Sequence, residues 1–255
     1  MSFILTETRG HVLVITLNRP EARNAFNRAM AEEMEAVIDR YEADADLRCA
    51  IIRAEGVTFS AGQDLKDAAR GERAVSKRRG GFGIMSMPPS KPLIAAVDGQ
   101  ALAGGMELTL CCDIVVASKS SVFGLMEAKR GLVAVGGGCF RLPRRIPHNI
   151  ALELILTAEP RSADDMHRFG YVNSVVERGK VLDEALRYAG LIARNGPLAV
   201  RASKEIARRS VAEGWSDADG WKNQMPITAP VMQSEDLREG LAAFAEKRDP
   251  VWKGR

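Results

Sequence analysis

Gly99-Gln100-Ala101-Leu102-Ala103-Gly104-Gly105-Met106-Glu107-Leu108 and the earlier Phe59-Ser60-Ala61-Gly62-Gln63-Asp64-Leu65 follow the same local pattern. Each reads as a short strand that runs through small residues into a helix start. Such a junction leaves backbone N–H groups without intrahelical partners and lets a ligand come close. Two junctions converging on one carbonyl oxygen would form an oxyanion hole. On spacing alone the plainer reading, a pair of tight turns with no catalytic role, is the commoner one.

Around these junctions the first half alternates short apolar strands with helices. Ile4–Thr8 and Val12–Leu17 flank Arg9-Gly10 as a hairpin. Residues 27–42 place Met30, Met34, Val37, Ile38 and Tyr41 at helical spacing. Strands are expected at 50–53, 58–61, 93–97, 114–117 and 122–123, with short helices near 64–70 and 104–112. A strand–strand–helix unit thus recurs at roughly 45 residues, without a solenoid repeat. Beyond about residue 145 helical periodicity dominates, at 148–157, 162–169, 180–194, 197–212 and 234–247, interrupted by a strand at Tyr171–Val176. Ser162 and Ser234 supply helix start signals. Residues 66–91 carry seven basic against two acidic side chains, with Gly80-Gly81-Phe82-Gly83 and Pro88-Pro89, and read as a flexible loop. The fold class is α/β, followed by a helical region.

The chain has 255 residues, 46% hydrophobic and 27% charged, so a sizeable core forms without disulfide or metal staples. Net charge is +3, which suits an acidic small-molecule ligand without demanding nucleic acid. Cys49, Cys111, Cys112 and Cys139 show no CxxC spacing and no histidine cluster, so no metal is expected. Free thiols, and no basic-then-apolar leader at Met1-Ser2-Phe3-Ile4, give the expectation of a cytoplasmic protein. Residues 93–117 are broken by Asp98, Glu107 and Asp113, so no membrane span is expected. Phosphate loops, nucleophile elbows and zinc-protease motifs are absent, and His11, His148 and His167 are far apart in the sequence. What remains is backbone electrostatics plus carboxylates. Glu107 falls in the first turn of its helix, where the dipole accepts an acid anyway. Glu127 sits among apolar residues, where a carboxyl group needs either a task or an ion pair with Lys129 or Arg130. Gly136-Gly137-Gly138 opens the next helix.

In this order the segments resemble the crotonase (enoyl-CoA hydratase/isomerase) superfamily. Asn18-Arg19-Pro20-Glu21-Ala22-Arg23-Asn24-Ala25 is similar to its early loop, Phe59–Leu65 and Gly99–Leu108 to its two oxyanion segments. Phe123–Gly131 resembles its second catalytic segment, and Ser162–Val176 the stretch leading into its helices. The resemblance implies a ClpP/crotonase-like spiral over residues 1–195 and a helical oligomerisation region over 196–255, giving a trimer or a dimer of trimers. It implies an acyl-CoA thioester substrate, coenzyme A being part of the substrate and no separate cofactor being used. The amides of Gln63 and Gly104 would bind the thioester oxygen, and Ala22, Ala61, Gly62, Asp64 and Leu65 would line the coenzyme A site. Phe244 and Lys247 would reach a coenzyme A held by a neighbouring subunit. Ala103 replaces the more usual first glycine of the second oxyanion segment, and Val135 stands where some relatives place a carboxylate.

Relatives that hydrate double bonds carry two glutamates, and both matching positions are glutamate here. Adding water across an alkene needs one group to take a proton from water and one to give a proton to the α-carbon. The resemblance assigns these tasks to Glu107 and Glu127 respectively. The expected activity is enoyl-CoA hydratase. The C-terminus, Phe244 to Arg255, resembles the crotonobetainyl-CoA hydratase (carnitinyl-CoA dehydratase) branch, which is the alternative. Another reaction of the superfamily, such as isomerisation, decarboxylation or hydrolysis, is a second alternative. A trimethylammonium pocket usually needs aromatic faces or acids, and aromatic residues are only 5% of the chain. A non-enzymatic RNA-binding relative would rest on Lys77-Arg78-Arg79 alone, without interleaved aromatics.

Overall fold

The computed structural model describes residues 2–255. Antiparallel β1 (Ile4–Arg9) and β2 (Val12–Leu17) turn at Arg9-Gly10 as the sequence suggests. Helix α1 (Arg28–Ala43) starts where the Asn27 side chain accepts from Met30 N–H, and it buries Met30, Met34, Val37, Ile38 and Tyr41. β3 (Cys49–Ala54) and β4 (Thr58–Ser60) lead into α2 (Leu65–Ala69) and a small hairpin of β5 (Val75–Ser76) and β6 (Gly80–Gly81). β7 (Leu93–Val97) and β8 (Gln100–Leu102) lead into α3 (Gly104–Thr109). β9 (Ile114–Ser118) and β10 (Val122–Gly124) lead, through a 3-10 turn over Glu127–Arg130, to α4 (Gly138–Arg141). Then come α5 (His148–Thr157), β11 (Arg161–Ser162), α6 (Ala163–Arg168), β12 (Ser174–Val176), α7 (Val181–Ala193), α8 (Pro197–Glu213), α9 (Asp217–Met232) and α10 (Glu235–Glu246).

In the pairs β3/β4, β7/β8 and β9/β10 the first member enters a large sheet and the second a small one. The large sheet runs β1-β2-β3-β7-β9-β12 and is parallel from β2 onward; the small sheet runs β4-β8-β10-β11. The unit recurs, but its large-sheet strands begin at Cys49, Leu93 and Ile114, so a spacing of roughly 45 residues holds only for the first interval. The large sheet is covered on both faces, as parallel sheets are. Along β3, Ala50 and Ile52 join the main core with α1, while Cys49 and Ile51 face Val181, Ala185 and Ala189 of α7.

The small sheet positions the site. β4, β8 and β10 are parallel: Gln100 pairs with Thr58 and Val122, and Ala101 with Ser60 and Phe123, with a one-residue shift in β4 between Thr58 and Ser60. Parallel strands paired to their ends finish together. The segments after Ser60, Leu102 and Gly124 therefore emerge at one rim.

Three expectations change. Residues 66–91 are not a loose loop, because α1 anchors them. Glu35 Oε2 accepts from Ser76 Oγ at 2.7 Å and from the backbone N–H groups of Arg78 and Arg79 at 2.9 and 2.6 Å, while Asp39 pairs with both guanidinium groups. The Lys77-Arg78-Arg79 run is thus largely neutralised, and it offers no bare basic stripe to nucleic acid. The strand expected from Tyr171 begins at Ser174, because Tyr171 and Val172 donate back to Met166 O and close α6. Helix α9 was not expected, since Pro226 and Pro230 lie inside it; its start signal is the Ser216–Asp219 capping box. No helix among the described residues is long and apolar enough to cross a membrane.

Asn24 ties the early loop to β4. It is fully buried at φ +52, with its Nδ2 donating to Glu55 O at 2.9 Å and Thr58 O at 2.7 Å and its Oδ1 accepting from Arg19 N–H at 2.8 Å. Asn24→Ala strands these groups and places an alanine in the left-handed region. The expected cost is about 2–4 kcal/mol in urea unfolding.

Candidate active site

Gln63 and Gly104 are the first residues to consider at the rim. Gly62 lies against Gly104: a Cβ on Gly62, which has φ +95, would come within 2.9 Å of Gly104 N. Phe26 pairs with the Gly62–Asp64 stretch, donating to Gly62 O and accepting from Asp64 N–H, so Gln63 N–H points away from that bridge. Among the described residues neither Gln63 N–H nor Gly104 N–H has a hydrogen-bond partner. Two adjacent, unpartnered donors at the end of one sheet are what an oxyanion hole requires. Ala103, just before the second donor, holds φ +50 and ψ −127, a conformation that favours glycine and costs a non-glycine residue about 1–3 kcal/mol. Behind the hole, the Phe82 ring stacks on Phe26 at 4.2 Å and leaves no room for a side chain at Gly104.

Both glutamates come to this place. Glu107 lies on α3 three residues beyond Gly104 and is buried. Its Oε1 accepts from Gly138 N–H at 2.9 Å, so the start of α4 holds the carboxyl group. Burial pushes its pKa up, while the Gly138 and Gly136 amides and the Arg141 charge act the other way. Glu127 follows β10. Its Oε2 is buried without a hydrogen-bond partner among the described residues. Lys129 does not pair with it; Lys129 binds Glu159 at 2.6 Å. Burial, with the Glu107 charge second, pushes Glu127 up to about 7. Two neighbouring carboxyl groups with divided proton affinities can act as base and acid at once, and their apparent values belong to the pair.

Glu127 makes stability depend on pH in a stated direction. The folded protein keeps this proton up to about 7, whereas an unfolded glutamic acid loses it near 4.5. The folded state therefore binds more protons between those values, and stability falls as pH rises through that window. Glu127→Gln is expected to be more stable than the parent above pH 7, by about 1–2 kcal/mol. The advantage should shrink to nothing below pH 4.5 in thermal unfolding.

The early loop runs beside the first oxyanion segment. Ala61 N–H donates to Arg23 O at 3.0 Å, which ties the early loop that carries Ala22 to the segment of Ala61 and Gly62, and Leu65 further along is exposed. Asp64 caps α2 by accepting from Lys66 and Asp67 N–H, and Arg19 pairs with it at 2.8 Å. That pairing holds its carboxyl below the usual carboxylate range against the opposing effect of burial, which is the largest single influence. Asp64 thus shapes the junction. Phe244 and Lys247 lie elsewhere, on and just after α10, and no hydrogen bond or ion pair among the described residues joins them to this place. Met85, Gly138 and Arg141 escaped the reading of the sequence. Only the glycine run hinted at Gly138, and nothing local marks the other two.

A family described as enoyl-CoA hydratase/isomerase matches residues 7–255. The crystal structure of enoyl-CoA hydratase EchA1 from Mycobacterium marinum is 49% identical, with a TM-score of 0.96 and 100% of both chains covered. Enoyl-CoA hydratase EchA19 of Mycobacterium tuberculosis is 40% identical over 98% of this chain and 96% of its own length. Carnitinyl-CoA dehydratase of Proteus mirabilis is 42% identical over 97% of each.

Proposed function

Since the chain belongs to the enoyl-CoA hydratase/isomerase (crotonase) family and has its α/β fold, we propose that it is an enoyl-CoA hydratase that adds water reversibly to a trans-2-enoyl-CoA. The observation that carries the proposal is a buried Glu107 bound at an oxygen and a half-buried Glu127 whose buried Oε2 has no partner among the described residues, beside two unpartnered amides. The thioester oxygen accepts from Gln63 and Gly104 N–H, which stabilises the enolate that forms. Ionised Glu107 takes a proton from water, whose oxygen bonds to the β-carbon. Protonated Glu127 gives its proton to the α-carbon, and dehydration runs the same steps backward.

An uncharged acyl tail is favoured over a trimethylammonium group. The face of Phe140 lies under Arg141 and Arg144, 5.3 and 5.8 Å from the ring centroid, and Phe26 and Phe82 cover one another. Each of these rings is already engaged, Phe140 by two cations that would repel a third. The carnitinyl-CoA alternative rests on the C-terminal resemblance and on the Proteus relative.

The region from residue 196 onward forms the proposed oligomerisation surface, in a trimer or dimer of trimers. Helices α8 and α9 bury no residue fully against their own chain, and Trp221, Met225 and Phe244 are 73%, 63% and 86% exposed. A neighbour would cover this apolar surface. In the same arrangement Phe244 and Lys247 would meet its coenzyme A.

The test is loss of enoyl absorbance with crotonyl-CoA, longer enoyl-CoAs and crotonobetainyl-CoA. Turnover of the unsubstituted enoyl chains is expected. Turnover confined to crotonobetainyl-CoA would transfer the protein to the carnitine branch, and none at all would remove the hydratase reading.

A further inference from the structure

Behind Glu107 the structure places a guanidinium group with an unusual set of partners. Arg141 Nη2 donates to Met85 O at 2.6 Å, and Nη1 donates to Gly136 O at 3.2 Å and approaches Cys111 Sγ at 3.3 Å. These atoms come from the segment after β6, the glycine turn before α4 and the residues just after α3. The first two segments also border the Glu107 carboxyl group. A Cβ on Gly136 would lie 2.7 Å from Glu107 Oε2 and 2.5 Å from Met85 Sδ, and one on Gly137 would lie 2.7 Å from Arg141 Nη1. The arginine is half-buried, and among the described residues no carboxylate lies at salt-bridge distance from it.

We infer that Arg141 is a positioning residue for Glu107: it ties the Met85 and Gly136 carbonyls together behind the carboxyl group and supplies a cation that, with the Gly138 amide, favours Glu107 over Glu127 as the carrier of the pair's negative charge. A guanidinium fork holds two carbonyls in a rigid planar geometry, whereas the donors of an ammonium group rotate on a flexible stem. Beside the Gly138 and Gly136 amides, Arg141 is the cation that acts on Glu107. β4 and β8, which flank α3, contribute no titratable side chain. The segment around Met85 contributes only its carbonyl and thioether to this place. From its own side of the fold come the Cys111 thiol, which burial keeps neutral, and from beyond β10 comes Glu127 itself. Arg145 and Arg208 act on Cys111 and are not felt at Glu107.

The inference rests on the proposed two-glutamate reaction for its catalytic meaning, but its physical content can be read without turnover. In protein carrying 13C-labelled glutamate carboxyl groups and Glu127→Gln, the resonance lost on Glu107→Gln belongs to residue 107. Arg141→Met is expected to move its titration upward by about one pH unit, and Arg141→Lys by much less. In the kcat/KM profile of the protein that keeps Glu127, Arg141→Met should raise the acid limb by a similar amount. The same variant should cost 10- to 100-fold at pH 7, with part of the loss regained at pH 9. Arg141→Lys should leave the limb nearly in place while lowering kcat, because the fork is lost. If Arg141→Met proves unstable, the lysine variant decides: a limb and resonance displaced upward by a full pH unit although the positive charge is kept would overturn the role. An unmoved Glu107 resonance in Arg141→Met overturns it too. A moved resonance without enoyl-CoA turnover in the parent would instead strike the hydratase proposal and leave this one standing.

Discussion

Glu107→Gln and Glu127→Gln are each expected to lower kcat for enoyl-CoA hydration about 10²–10⁴-fold, the range for removing one positioned acid or base. Glutamine keeps the shape of each side chain, so Gly138 N–H still has an oxygen to bind at position 107 and the fold is retained. The double variant should be little worse than either single one, since the two groups act on one water and one proton inventory. Single variants are compared by progress curves on crotonyl-CoA, with circular dichroism confirming the fold. Hydration that survives in both variants would remove the two-acid mechanism. Activity that survives only in Glu107→Gln, as double-bond migration without hydration, would instead identify an isomerase using one base.

Gly105→Ala is expected to cripple the enzyme without touching either acid. A Cβ there would sit 2.2 Å from Ser60 O and 2.8 Å from Ser60 C, both backbone atoms of β4. Ser60 cannot yield easily, because its hydroxyl donates to Asn24 O at 2.9 Å inside the sheet. Helix α3 must therefore retreat and carry Gly104 N–H away from Gln63. The loss of one oxyanion donor predicts a fall in kcat of about 10²–10³-fold. Overpacking adds about 1–3 kcal/mol of lost stability. Gly190→Ala in α7 is the control: nothing lies within 4 Å of the added methyl, so kcat should hold and stability should rise by about 0.5–1 kcal/mol. Equal activity in parent and Gly105→Ala would mean that the close contact between α3 and β4 does not set the distance between the two amides.

How far the sequence carries can be followed residue by residue. The ordered segments around Gln63, Gly104, Glu107 and Glu127 disclosed the family and its fold, and strand–helix grammar placed each residue on its local element. Local grammar reached those features because hydrophobic period, caps and glycine turns are written in neighbouring residues. It misjudged residues 66–91 because their order comes from Glu35 and Asp39 on α1, distant in the chain. It places no helix at α9, whose interior holds Pro226 and Pro230 and whose start is marked by a single capping box.

By itself the amino-acid sequence determined the family, the alternation of strands and helices, and the residue types on which the chemistry depends. Only the tertiary structure decided that three strand ends share one rim, that Lys129 leaves Glu127 unpaired, and that Met85 and Arg141 close around Glu107. The reason is physical. A propensity or a cap acts over a few residues, whereas proton affinity and the separation of two amides depend on burial and on atoms brought together from distant segments.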